Sequence, residues 1–235
     1  MITKDSIGKY SFDFQLGETI LIDKDKGPTS FGVIGNIRRT IGIKKVGHAG
    51  TLDPAATGLL IICTGKKTKE IHLYQNLDKT YTGIIRLGKR TPSMDAETDF
   101  IEEIDCSKIT LDNLEAVKKN FVGKILQTPP MYSALKHKGK ALYKYARKGV
   151  EIERAEREVN ISKFEITKFE NPDVHFEICC SKGTYIRVIA DDFGKALNVG
   201  GYLKELRRTR IGEYSVTDAL TTKEFAENFT AETIN

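Results

Sequence analysis

The residues best suited to chemistry lie in one stretch, Gly47-His48-Ala49-Gly50-Thr51-Leu52-Asp53-Pro54-Ala55-Ala56-Thr57-Gly58. It holds a single carboxylate, Asp53, among three glycines. A carboxylate can serve as a covalent nucleophile or as a base, and a glycine loop lets backbone approach a reactant closely. Cations Arg38, Arg39, Lys44 and Lys45 lead into the stretch, and the apolar run Leu59-Leu60-Ile61-Ile62-Cys63 leaves it. A carboxylate on a loop held by a buried strand and bordered by cations suits chemistry on an anionic polymer. Taken alone, though, Asp-Pro is an ordinary turn starter. No Gly-Lys-Ser/Thr follows, so the loop is not a phosphate-binding glycine loop. Its specificity must come from what accompanies it.

The elements that position it can be read from periodicity. Glu18–Asp23 predicts a strand entering the core, after residues 1–17, which lack periodicity and read as an arm. Thr29 or Ser30 caps a helix with Ile34, Ile37 and Ile41 on one face. The strand 59–63 follows the loop, then a helix with Ile71 and Tyr74 inward, and a strand over 79–88. Thr110 caps a helix carrying Leu114, Val117 and Phe121, ended by Gly123. Pro129-Pro130 breaks regular structure, and a short helix with Leu142 and Tyr145 ends at Gly149. Alternation at 150–169 and 174–180 predicts a hairpin across Asn171-Pro172-Asp173. Ser181–Thr184 opens a helix with Arg187 in its first turns. The basic cluster Arg207–Arg210 precedes a strand near 211–216, and Thr221-Thr222 caps a terminal helix.

Composition narrows the function classes. The 235 residues are 40% hydrophobic and 29% charged, which describes a globule with a core of its own. No apolar run reaches bilayer-spanning length, and Met1–Gly17 lacks the apolar segment of a secretory signal. Cys63, Cys106, Cys179 and Cys180 show no Cys-x-x-Cys spacing, so a reduced, cytoplasmic chain is expected. The four histidines are scattered singly, which argues against a histidine metal site. Net charge is +5. Acids gather between Asp95 and Glu115, and bases at 38–45, 66–69, 136–148 and 207–210; such segregation can build a cationic face for nucleic acid. Lysines interleave with Tyr132, Tyr143 and Tyr145, a mixture that suits phosphates and base stacking as well as it suits a solvated helix over packed tyrosines.

The Gly47–Gly58 string resembles the signature of the TruB family, synthases that make pseudouridine at position 55 in the T loop of tRNA. Four further motifs keep the family's order. They are Asp23-Lys24 with Gly27-Pro28-Thr29-Ser30; Lys79-Thr80-Tyr81 with Arg86-Leu87-Gly88; Pro129-Pro130-Met131-Tyr132-Ser133-Ala134-Leu135-Lys136; and Ser181-Lys182-Gly183-Thr184-Tyr185-Ile186-Arg187. Together they span roughly residues 18–216. Members usually carry Pro where Asp25 stands here, a change that loosens the turn.

The resemblance implies an α+β pseudouridine synthase fold: a large, mainly antiparallel mixed sheet flanked by helices, with a central catalytic cleft. It implies one catalytic domain over residues 1–235, with 124–157 (its thumb-like heart at 129–148) as an RNA-clasping insertion and without the RNA-binding PUA domain of many members. The reaction detaches uracil at N1, turns it and rejoins it through C5, so no cofactor and no metal are expected. By resemblance Asp53 is catalytic, Tyr81 stacks on the target base, and His48 fills the space left by the flipped nucleotide. Arg187 keeps Asp53 charged, although spacing alone would make it a surface arginine. Lys24 is a motif lysine, Asp95 a loop acid near the RNA, and Leu206 an apolar wall. The implied partner is tRNA through its T-stem loop, with no membrane and no obligatory protein partner. Other readings are an RNA-binding or tRNA-folding module whose catalysis is secondary or lost, a metal-dependent hydrolase using Asp53 and His48, and a guide-RNA-dependent synthase.

Overall fold

The computed structural model of the chain describes residues 1–229, which divide into two compact units: Met1–Tyr81 with the segment from Leu206 onward, and Thr82–Glu205. In chain order the first unit supplies β1 (Thr19–Lys24), α1 (Ser30–Ile41), β2 (Val46–His48), β3 (Thr57–Thr64), α2 (Ile71–Asn76) and β4 (Lys79–Leu87), which enters the second unit at Thr82. The second unit continues with β5 (Lys89–Arg90), β6 (Glu102–Glu103), α3 (Leu111–Lys118), β7 (Gly123–Gln127), β8 (Lys136–His137), β9 (Lys140–Ala141) and α4 (Tyr143–Ala146). It then adds β10 (Arg157–Glu170), β11 (Asp173–Cys180) and α5 (Ile186–Ala196). The chain returns to the first unit along β12 (Gly201–Ile211), followed by β13 (Tyr214–Ser215), β14 (Leu220–Thr221) and α6 (Thr222–Asn228). The architecture is α+β, with helices flanking a mixed sheet in which antiparallel pairs predominate.

In the first unit the strand order is β14-β1-β3-β12, with β2 also on β3. Apolar residues fill both faces of β1 and β3, which pair antiparallel with Leu21 opposite Ile61. Thr29 caps α1 by accepting from the Gly32 N–H, and Gly42, at φ 69°, ends it. Val33, Ile34, Ile37 and Ile41 of α1 pack on Ile20, Ile22 and Ile62. The N-terminal segment is not a loose arm, because Ile2 and Phe14 are buried in that same core and Ile2 bridges to Ile20. The opposite face of β1 and β3 takes Ala49, Ile71 and Tyr74.

In the second unit the order is β4-β11-β10-β7. The β10–β11 hairpin turns at a cis Asn171-Pro172 bond. Phe121, Phe164 and Phe193 meet beside it, with ring centroids 5.6–6.5 Å apart. Strand β7 is absent from the sequence reading, since Gly123 both closes the preceding helical segment and opens this short strand at φ 91°. The strand expected near 211–216 instead begins at Gly201, and the basic cluster lies on it. Arginines at 207 and 208 mask the alternation because one of them is buried. No helix of the described residues is long and apolar enough to cross a membrane.

Candidate active site

The Asp53 loop leaves β2 and re-enters the sheet on its antiparallel neighbour β3, with Gly47 opposite Cys63 and His48 opposite Ile62. Each side of Asp53 is pinned. Before it, Ser30 Oγ donates to the Leu52 carbonyl at 3.0 Å and accepts from the Leu52 N–H at 2.9 Å. After it, the Gly27 N–H donates to the Pro54 carbonyl at 2.8 Å, and the Ala56 N–H closes a turn on the Asp53 carbonyl at 3.1 Å. The first helical residue and the glycine turn of the Gly27–Ser30 motif therefore both hold the loop, leaving the Asp53 side chain half-buried.

Lys24, at the end of β1, is fully buried beneath the loop. Its ammonium donates to the carbonyls of Ala56 (2.7 Å), Asp25 (2.9 Å) and Pro54 (3.4 Å). Burial lowers its pKa from the usual lysine value, while the charges of Asp25 and Asp53 oppose that shift and Arg208 adds to it. Asp53 thus has a cation anchored below it by backbone carbonyls.

Parallel pairing of β12 with β3 sets Arg207 opposite Thr57 and Arg208 opposite Gly58. Neighbouring residues on a strand point to opposite faces, so the two arginines part company. Arg207 forms a two-toothed pair with Asp23, at 3.0 and 2.6 Å. Arg208 is 1% exposed and donates to the Leu59 carbonyl at 2.7 Å and the Gly50 carbonyl at 3.1 Å. Gly58, at φ 106°, has no alternative there, since a Cβ would stand 2.2 Å from the Arg208 carbonyl oxygen.

His48 is half-buried, its ring edge-on to Phe31 with centroids 5.3 Å apart. Burial and then the Arg208 charge depress its pKa below the usual 6.5, so the ring is neutral at pH 7. Tyr81 is 9% exposed on β4, and Leu206 half-buried on β12. Lys24, His48, Asp53, Tyr81 and Leu206 all belong to the first unit.

Asp95 and Arg187 belong to the second unit and are brought together there. Arg187 Nη1 lies 3.2 Å from Asp95 Oδ2, with the two residues 4% and 7% exposed. Arg187 is therefore no surface arginine, and Asp95 is no exposed loop acid: its backbone bridges to Leu203 and its carbonyl accepts from Thr91 Oγ1 at 2.7 Å. The Asp95–Arg187 pair, the Ser30 clamp and the Arg208 bridge all escaped the sequence reading. For Ser30 a signal existed in its motif; for Arg208 only its place in a basic cluster. Among the described residues, no three His, Cys, Asp or Glu side chains gather as metal ligands would.

Known proteins resemble this chain in sequence and in fold. Residues 38–186 match the model of the TruB family pseudouridylate synthase N-terminal domain, and 187–234 that of the tRNA pseudouridylate synthase B C-terminal domain. The chain is 51% identical over 216 residues to a tRNA pseudouridine synthase B of Chloroherpeton thalassium, covering 90% of each. It is also 51% identical over 216 residues to the protein of that name from Chlorobium chlorochromatii, covering 90% of this chain and 85% of the relative. Among solved structures, a chain of a Cbf5-Nop10-Gar1 complex superposes with a TM-score of 0.70 at 29% identity over 91% of this chain. The match spans about half, 54%, of that longer chain.

Proposed function

This chain belongs to the TruB family of pseudouridylate synthases, and from that premise we propose that it converts uridine to pseudouridine at position 55 in the T loop of tRNA, with Asp53 as the essential carboxylate. The enzyme is an isomerase. The N1–C1′ glycosidic bond breaks, the uracil turns while bound, a C5–C1′ bond forms, and the C5 proton passes to solvent while N1 gains one. No atom is gained or lost overall, so the stoichiometry calls for no redox partner and no donor group.

The observation that supports the reading best is the way Asp53 is held. Ser30, Gly27, Lys24 and Arg208 fix the backbone on both sides of one half-buried carboxylate, which is the preorganisation that a short-lived reacting geometry needs. Attack by Asp53 on C1′, attack on C6 and proton removal at C2′ all require this oriented group as a carboxylate. The target uridine lies inside a folded loop and must be flipped out, at an unstacking cost of a few kcal/mol. On the family resemblance, His48 occupies the space it leaves, Tyr81 stacks on the flipped base, Leu206 walls the pocket, and Arg187 and Asp95 serve substrate binding. Lys24 supports the loop from below. We assign residues 124–157 to clasping the T-stem loop. We place the enzyme in the cytoplasm, acting without a protein partner.

Incubating the full chain with a defined unmodified tRNA transcript and mapping pseudouridine chemically tests the assignment. A single product in the T loop is expected, without guide RNA or added protein. Product at another position, or a requirement for a guide, overturns it.

A further inference from the structure

Phe31, in the first turn of α1, is 73% exposed, although its ring is held edge-on against His48. Its position is fixed, because the adjacent Ser30 is clamped to Leu52 of the catalytic loop. One turn further along the same face stands Gly35, and a turn beyond that Arg38. Arg38 is exposed; one Nη donates to the Val46 carbonyl of β2 at 2.9 Å, and no carboxylate among the described residues pairs with it. None of its other guanidinium donors has a protein partner among the described residues.

Gly35 is the informative residue. Glycine inside a helix is less stable than alanine there. Gly35 does not have a positive φ, and an added Cβ would meet only Arg39 Nη1, at an ordinary 3.8 Å. Neither backbone conformation nor packing within the chain requires glycine at this position. What its missing Cβ does is leave a low strip between the Phe31 ring and the Arg38 guanidinium, about 10 Å apart along the axis at 1.5 Å per residue.

We propose that this strip of α1 is an RNA-binding subsite, in which Phe31 stacks on a nucleobase flanking the extruded uridine, Arg38 takes a backbone phosphate, and Gly35 lets the sugar–phosphate chain lie against the helix. The proposal rests on the reading that the chain modifies tRNA, and it specifies where the RNA runs beside His48. An aromatic face serves any base, and a guanidinium fork matches phosphate oxygens. His48, held neutral, adds a second ring beside the first. An apolar protein partner would use Phe31 but would leave Arg38 without a counter-charge, whereas RNA satisfies both.

The chain has no tryptophan, so Phe31→Trp places a sole indole on the strip. Titration of that full-length variant with an unmodified tRNA transcript is expected to quench its emission as the indole stacks. Phe31→Ala is expected to weaken tRNA binding about fivefold or more. Arg38→Gln is expected to lower the slope of log K against log salt by about 0.7 to 0.9. Gly35→Ala is expected to raise Tm by about 1–3 °C and yet to weaken tRNA binding, a combination a purely structural glycine would not produce. Unchanged indole emission at saturating tRNA overturns the proposal, as does Gly35→Ala with full affinity. Pseudouridine mapping with the wild-type chain runs alongside. Failure to make product defeats the tRNA reading itself, whereas product with unaltered binding by Phe31→Ala and Gly35→Ala defeats the strip alone.

Discussion

The Arg208 guanidinium donates to the carbonyl oxygens of Gly50 and Leu59, tying the start of the Asp53 loop to the strand that ends it. The planar fork of Nε and Nη2 serves the two acceptors at once, a fixed geometry that an ammonium does not reproduce. Arg208→Lys is expected to lose one of the two bonds and Arg208→Met both, the latter destabilising the fold by about 3 kcal/mol because two buried carbonyls lose charged partners. Assayed well below the lowered Tm, Arg208→Lys should show kcat reduced about tenfold or more with KM little altered, since the loop is displaced rather than the RNA surface. Equal kcat for variant and wild type would contradict a positioning role.

Replacing Asp53 by Asn keeps shape and hydrogen-bonding capacity while removing the charge. The variant is expected to make no detectable pseudouridine and to bind tRNA within a few-fold of wild type, as measured by filter binding beside product mapping. Turnover within tenfold of wild type would remove Asp53 from the reaction.

His48 supplies a pH dependence whose sign follows from its depressed pKa. The unfolded chain takes up the proton near pH 6.5 and the folded chain only at lower pH, so the unfolded state binds more protons in that window. Stability contributed by neutral His48 is complete above about pH 6.5 and is lost as pH falls through its folded value. Urea midpoints from pH 7.5 down to 5 should fall less steeply in His48→Gln than in wild type. Parallel curves would show that His48 is not the group responsible.

The buried Asp95–Arg187 pair predicts asymmetric mutational costs. Asp95→Asn strips a buried guanidinium of a charged partner and is expected to cost about 3 kcal/mol. Replacing both, as Asp95→Leu with Arg187→Met, should cost less than the single change, because the two desolvation penalties vanish together. Urea unfolding of the two variants measures this; a double replacement costing as much as Asp95→Asn, or more, would speak against coupling.

Residues 129–148 carry exposed Lys136, Lys138, Lys144 and Lys148, with Lys140 over the Tyr145 ring at 4.8 Å and Arg147 over Tyr143 at 5.5 Å. If this segment clasps RNA, tryptic cleavage there should slow when tRNA is added, while cleavage at the exposed Lys9 and Lys108, outside the basic clusters, continues. Equal cutting with and without tRNA would deny the role.

Much of this protein was legible before any coordinates. The Asp53 string and its four companion motifs are local patterns, as are the apolar face of α1, the Thr29 and Thr110 caps and the alternation that builds β10 and β11. Each depends on residues within a turn or two of one another, so periodicity and capping chemistry suffice to read them. Tertiary structure decided the rest. The Ser30–Leu52 clamp joins residues 22 apart, Arg187 meets Asp95 across 92, and Arg208 reaches Gly50 across 158. Spacing alone makes Arg187 a surface arginine and Arg208 one of a basic cluster, since a guanidinium is solvated unless something distant replaces its water. Only the fold brings buried carbonyls and a carboxylate to them, because the partners of a buried charge are selected by strand register and helix packing, and neither is encoded within the span of a motif.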